Sequence, residues 1–184
     1  MNETLQAIFD RRSIRDFQQE PLSGEQIQLL ARAALASPSG MNLQPWHFSF
    51  VTRKSLIGKI SDAAFETFRR KGQQDIIDRM SARHEQLFYG APLVVFITMN
   101  KDNRSEIDAG IAAENLAIAA QSLGLGSCII GLAAAAFQGE SADELKKRLE
   151  FPRCHEMVIS VAIGHPAVHP DPHDMHPEKI SFIG

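Results

Sequence analysis

An α+β fold, with helices layered on a single sheet, is what this chain predicts. Helix-period and strand-like segments alternate, their lengths are uneven, and no repeated βαβ unit marks a parallel sheet. With 184 residues, 44% hydrophobic and 22% charged, the chain is large enough for one sizeable core, so a single domain over residues 1–184 is expected.

The elements follow in order. Asn2 is a plausible N-cap for a short helix carrying Leu5, Ile8 and Phe9 on one face and ending near Arg11. Ser23 and Gln26 have capping-box spacing, and Ile27, Leu30, Ala31, Ala34 and Leu35 continue at helical intervals until Ser37-Pro38-Ser39-Gly40 stops them. A loop then runs to Pro45. The aromatic and β-branched run Trp46–Val51 reads as a strand, and the unbroken apolar run Leu93–Met99 as a central one. Between them, Lys54 to about Gln86 is polar and helical with only partial periodicity, which leaves its packing the least readable part and predicts mobility. Ile111–Ala120 is apolar almost all round, as in a helix buried on most sides, and Gly124 and Gly126 end it. Ser141 with Glu144 predicts another capped helix, and Met157–Ile163 a further strand. The tail over residues 165–184, rich in proline and histidine, is expected to dock on a partner subunit.

Composition excludes several functions. A formal charge of -3 with interspersed signs provides no field for nucleic acid or an anionic membrane. No signal peptide or membrane-length apolar run is present, which predicts a cytoplasmic protein. Cys128 and Cys154 have no partner spacing for zinc, an iron–sulfur cluster or a dithiol pair, so redox chemistry would need an organic cofactor. Prolines at 166, 170, 172 and 177 interrupt the helix that would align His165, His169, His173 and His176 on a metal, so no metal site is expected.

Three segments carry candidate chemistry. Arg11-Arg12-Ser13-Ile14-Arg15 gathers three guanidiniums and a hydroxyl at a helix end; such forks match phosphate oxygens, although basic residues also favour helix C-termini without any ligand. Ser37–Trp46 offers hydroxyls and amides in a loop bounded by regular structure, suited to a ring system or to a plain connector. Gly124-Leu125-Gly126-Ser127-Cys128-Ile129-Ile130-Gly131 has its third glycine too late, and follows a helix, so a dinucleotide fingerprint fails; Gly131 would still allow close approach of a planar ligand.

In this order and spacing, Arg-Arg-Ser-Ile-Arg, Ser-Pro-Ser-Gly-Met-Asn-Leu-Gln-Pro-Trp-His-Phe and the stretch from Asn115 to Gly131 resemble the FMN-dependent nitroreductase family over nearly the whole chain. That resemblance implies a central, mostly antiparallel sheet flanked by helices, and a homodimer with two FMN molecules in its interface. It implies that Arg11, Arg12 and Ser13 hold the FMN phosphate and ribityl end and that Arg15 approaches the pyrimidine edge. Pro38, Ser39, Gly40 and Asn42 would come from the partner chain, and Ile130 and Gly131 would lie by flavin N5. The implied reaction is ping-pong: NADH or NADPH gives a hydride to flavin N5, and a nitroaromatic, quinone or related small acceptor takes it, with no catalytic side chain required. A specialised relative on the same platform, such as a reductive dehalogenase or flavin-fragmenting enzyme, and a non-catalytic FMN-binding module are the alternatives. The Lys-x-Arg pair that the family often places near the C-terminus is replaced here by His173-Asp174-Met175-His176-Pro177-Glu178-Lys179, leaving Lys179 as the one permanent cation for the phosphate. No flavin contact can be assigned between Phe65 and Gln74.

Overall fold

Strand β2, Leu93–Asn100, runs through the middle of the molecule because its side chains are apolar on both faces. Leu93, Val95, Ile97 and Met99 enter one core, while Val94 and Phe96 enter the other. The computed structural model describes residues 1–103 and 105–184. Besides β2, the sheet contains β1 (Trp46–Val51), β3 (Gly126–Ile130) and β4 (His155–Gly164), in the order β1-β2-β4-β3. All three pairings are antiparallel, with Trp46 opposite Met99, Leu93 opposite Ile163, and Gly126 opposite Gly164.

Helix α1 (Glu3–Asp10) starts where the Asn2 side chain accepts the Leu5 N–H, and α2 (Gly24–Leu35) carries the reciprocal Ser23–Gln26 capping box. On the α2 side of the sheet, α5 (Glu106–Ser122) buries Ala109, Ala112, Ala113, Leu116 and Ala120, whose small side chains let it lie close to the strands. It ends at Gly124, whose φ of +72° suits a residue without Cβ.

The other face is covered by α3 (Lys54–Arg70), α4 (Gln74–Ser81), a 3-10 run over Leu132–Gln138 and α6 (Ala142–Arg148). Here the structure supplies the packing that the sequence left unread. Leu56, Ile57, Ile60, Ala64, Phe65 and Phe68 of α3 are buried in the main core, and the charged residues that obscured the pattern lie on its outer face. Ser141 also departs from expectation: its backbone is already helical and its side chain caps nothing, so α6 begins without the predicted box. The tail beyond Gly164 is extended apart from a short turn over Pro177–Lys179. Among the described residues no helix is long and apolar enough to cross a membrane.

Candidate functional site

At Arg11 the chain leaves α1 with φ −57° and ψ 130°, and becomes extended beside β3. Ser13 forms a parallel bridge with Ser127, and Ile14 N–H donates to the Ser127 carbonyl at 2.9 Å. The approach is close because Gly126 has no side chain: a Cβ there would lie 2.6 Å from Ile14 Cγ1. Further along, Phe17 bridges to Pro166, and a Cβ on Gly164 would lie 3.0 Å from Phe17 and 2.5 Å from Pro92. Two glycines paired across the sheet thus make the seat for the arginine segment.

The basic residues have different surroundings. Arg11 Nε lies 3.3 Å from the Glu114 carboxylate on α5. Arg12 turns back, its Nη1 donating to the Phe9 and Arg11 carbonyls at 2.6 and 2.8 Å, and so satisfies the C-terminal end of α1. Among the described residues its Nε is buried without a partner, a donor that a bound acceptor would satisfy. Arg15 is exposed beside β3. Burial pushes the Cys128 thiol up, while the charges of Arg15, Arg83 and Arg11 act in the opposite direction.

Lys179 reaches this region from the far end of the chain. It lines a cleft of about 620 Å³ with Arg11, Glu114, His173, Asp174 and His176, over an apolar floor that includes Ile8 and Phe9. At the end of β3, the buried Ser160 hydroxyl donates to the Ile130 carbonyl at 2.9 Å and fixes that peptide. Gly131 follows with nothing within 4 Å of where its Cβ would be, which leaves room for a flat group against the backbone.

The loop holding Pro38, Ser39, Gly40 and Asn42 belongs to a separate station. Met41, Asn42 and Gln44 adopt positive φ of 50°, 53° and 46°, a conformation that surrounding bonds must hold in place. Gly40 N–H donates to the buried Asp108 carboxylate at 3.2 Å, Asn115 Nδ2 to Ser37 Oγ at 3.1 Å, and Gln44 N–H to Ser39 Oγ at 2.9 Å. These anchors are on α5 or inside the loop, none on the arginine segment. Asp108 and Glu114 are six residues apart on α5, about 9 Å along its axis. One chain therefore brings Arg11 and Lys179 to one cleft, turns Arg12 into a neighbouring hollow with Ile14, Gly124 and Gly126, seats Ser13 against Ser127 of β3 and leaves Ile130 and Gly131 at the far end of that strand, with the Pro38–Asn42 group anchored elsewhere.

Sequence reasoning missed Asp108, Glu114 and the packing role of Gly126 and Gly164. A carboxylate on a helix face and a glycine near a helix end carry no local mark of what they meet. Among the described residues no group of three or more His, Cys, Asp or Glu could hold a metal ion.

A family model described as the nitroreductase family matches residues 8–165. The chain belongs to the nitroreductase family. Its similarity to individual members is moderate in sequence and close in shape. It is 32% identical to an NAD(P)H-type FMN reductase of Bacillus subtilis, over 91% of this chain and 67% of that protein. A crystal structure of a nitroreductase with bound FMN from Desulfitobacterium hafniense DCB-2 superposes with a TM-score of 0.95 at 35% identity, covering 100% of both chains. An FMN-dependent nitroreductase from Clostridium difficile R20291 gives a TM-score of 0.80 at 30% identity, covering 99% of both. The expected α+β nitroreductase fold is thereby established for this chain.

Proposed function

We propose that this nitroreductase-family chain is an NAD(P)H-dependent flavin oxidoreductase that holds FMN and serves small organic acceptors such as nitroaromatics or quinones. The observation that carries the reading is the convergence of Arg11 and Lys179, from opposite ends of the chain, on one cleft. Two permanent cations there suit a phosphate. The residues fit the rest of the cofactor as well: the partnerless Arg12 Nε awaits an acceptor, and Gly131 leaves open space beside a backbone that can face a ring.

In this reading Arg11, Arg12, Ser13 and Lys179 hold the phosphate and ribityl end. Arg15, for which no carboxylate partner lies close among the described residues, stands at the pyrimidine edge, where it favours negative charge. Ile130 and Gly131 present their backbone to the central ring, and Ser160 keeps that backbone in place. FMN, when bound, supplies a centre that takes two electrons from the nicotinamide and gives them to the acceptor. The protein's part is to bind, to orient the two substrates in turn, and to shield the ring from water. No side chain is assigned as acid or base.

The Pro38–Asn42 loop reaches the ring from a second copy of the chain. A homodimer accounts for apolar side chains left in solvent on and around that loop and α5, where Met41 is 89% exposed, Ile107 78% and Leu43 52%. It also gives the tail, with Phe182 95% exposed, a surface to dock on.

Titration of the full-length, flavin-free protein with FMN and with riboflavin tests the proposal. FMN should bind and turn the protein yellow, and Arg11→Gln should weaken FMN by about 10–100-fold while changing riboflavin little, as expected for loss of one charge-assisted pair. A protein that takes up no FMN contradicts it.

A further inference from the structure

The phosphate cleft has an unusual charge balance. Its permanent cations, Arg11 and Lys179, are matched by two carboxylates, Glu114 and Asp174. A third carboxylate, Glu178, lies 2.9 Å from His176 Nδ1. From α1 the cleft receives only the apolar Ile8 and Phe9, and α5 contributes Glu114. With neutral imidazoles, therefore, the lining itself offers a phosphate dianion no excess of positive charge, and outside the lining only Arg12, whose Nη1 is already committed to the end of α1, adds one cation to the grip proposed above. The remaining titratable groups are His173 and His176, both on the wall of the cleft.

We propose that His173 and His176 complete the phosphate grip as protonated imidazoles, so that this chain holds a phosphorylated flavin more tightly in mildly acidic than in alkaline solution. The inference rests on the FMN reading above and specifies how the phosphate end works. Glu178 orients the His176 ring through Nδ1 and leaves Nε2 to serve the ligand. An adjacent phosphate dianion favours the charged form of an imidazole, so proton and phosphate reinforce each other in the complex. The added affinity is then full where the imidazoles carry their protons and is lost as rising pH removes them. Glu114 has the opposite role: it shares Arg11, and any phosphate in the cleft competes with it for that guanidinium.

Flavin fluorescence titrations of the full-length, flavin-free chain between pH 6.5 and 8.5 test this. Across that window a phosphate monoester, with second pKa about 6, is mostly dianionic, so its own titration contributes little. FMN should weaken with rising pH by up to about tenfold for each imidazole whose pKa the phosphate lifts by one unit. Riboflavin, which lacks the phosphate, should show no such slope. The double variant His173→Gln/His176→Gln should bind FMN at every pH about as the wild type does at pH 8.5, and His176→Lys should bind tightly with a reduced slope. FMN affinity that is flat with pH, a riboflavin slope equal to that of FMN, or a slope that persists in the double variant overturns the role of the histidines while leaving the cofactor reading intact. Failure to bind FMN at any pH removes both.

Discussion

Replacing Gly126 with alanine probes how the arginine segment is held against the sheet. The added Cβ would lie 2.6 Å from Ile14 Cγ1, 3.0 Å from its Cβ and 3.2 Å from its Cγ2. Rotating the side chain cannot relieve all three, because Ile14 Cβ is fixed to a backbone whose N–H is bonded to Ser127. The main chain between Ser13 and Arg15 must move instead. Overpacking of this kind costs about 1–3 kcal/mol, and exchanging glycine for alanine within a strand returns roughly 0.5–1 kcal/mol. The net loss, centred on about 1 kcal/mol and at most about 2.5 kcal/mol, corresponds to a fall in Tm of roughly 2–4 °C and at most about 10 °C for a chain of this length. Because the displaced residues flank the phosphate site, FMN affinity should fall in the same variant. Ile14→Ala alone should cost about 2–5 kcal/mol through the cavity it leaves. Combined with Gly126→Ala it should cost less than the sum, by about 0.5–3 kcal/mol, since the small side chain removes most of the clash. Thermal melts and flavin titrations on the four proteins of the cycle measure both effects. Strict additivity, together with a Gly126→Ala protein of unchanged Tm and FMN affinity, would refute the reasoning.

Three further outcomes are expected. Gly131→Leu should leave the flavin-free protein's Tm within about 2 °C of wild type, since the residue has φ −76° and ψ −27° and open space beside it, yet weaken FMN at least tenfold; equal binding would show that the ring lies elsewhere. Asp108→Ala removes the buried acceptor of Gly40 N–H and should cost about 1.5–3 kcal/mol in denaturant melts, with faster proteolysis in the Ser37–Pro45 loop; a loop as resistant as wild type would contradict the anchoring role. Burial, with His47 adding to it, holds His155 below the ordinary histidine value of 6.5. Its folded form thus favours the neutral ring, so stability should fall as pH drops below about 6.5, where the unfolded chain binds the proton first. His155→Gln should flatten the urea midpoint over that range, and an unchanged pH slope would assign it to other groups.

Elements whose pattern is local were legible in the sequence, and those defined by what lies opposite were not. The Ser23–Gln26 box, the Asn2 cap and the doubly buried Leu93–Met99 strand each need only their own neighbours to be recognised. The packing of helix α3 was hidden because its apolar face is completed by the 3-10 run Leu132–Gln138, far away in the chain. Arg11, Arg12 and Ser13 were visible as a cluster, yet nothing near them in sequence shows that Lys179 shares their cleft or that Glu114 already holds one of the guanidiniums. Gly126 reads as a helix stop, and only the strand pairing shows that it makes room for Ile14.

Anaerobic reduction of the FMN-loaded protein, followed by the loss of flavin absorbance on mixing with NADH or NADPH, tests the central claim most directly. The flavin should bleach in proportion to the nicotinamide oxidised and regain its colour when a quinone or nitroaromatic is added. A flavin that stays bound and yellow with both donors would contradict an oxidoreductase and leave a binding module in its place.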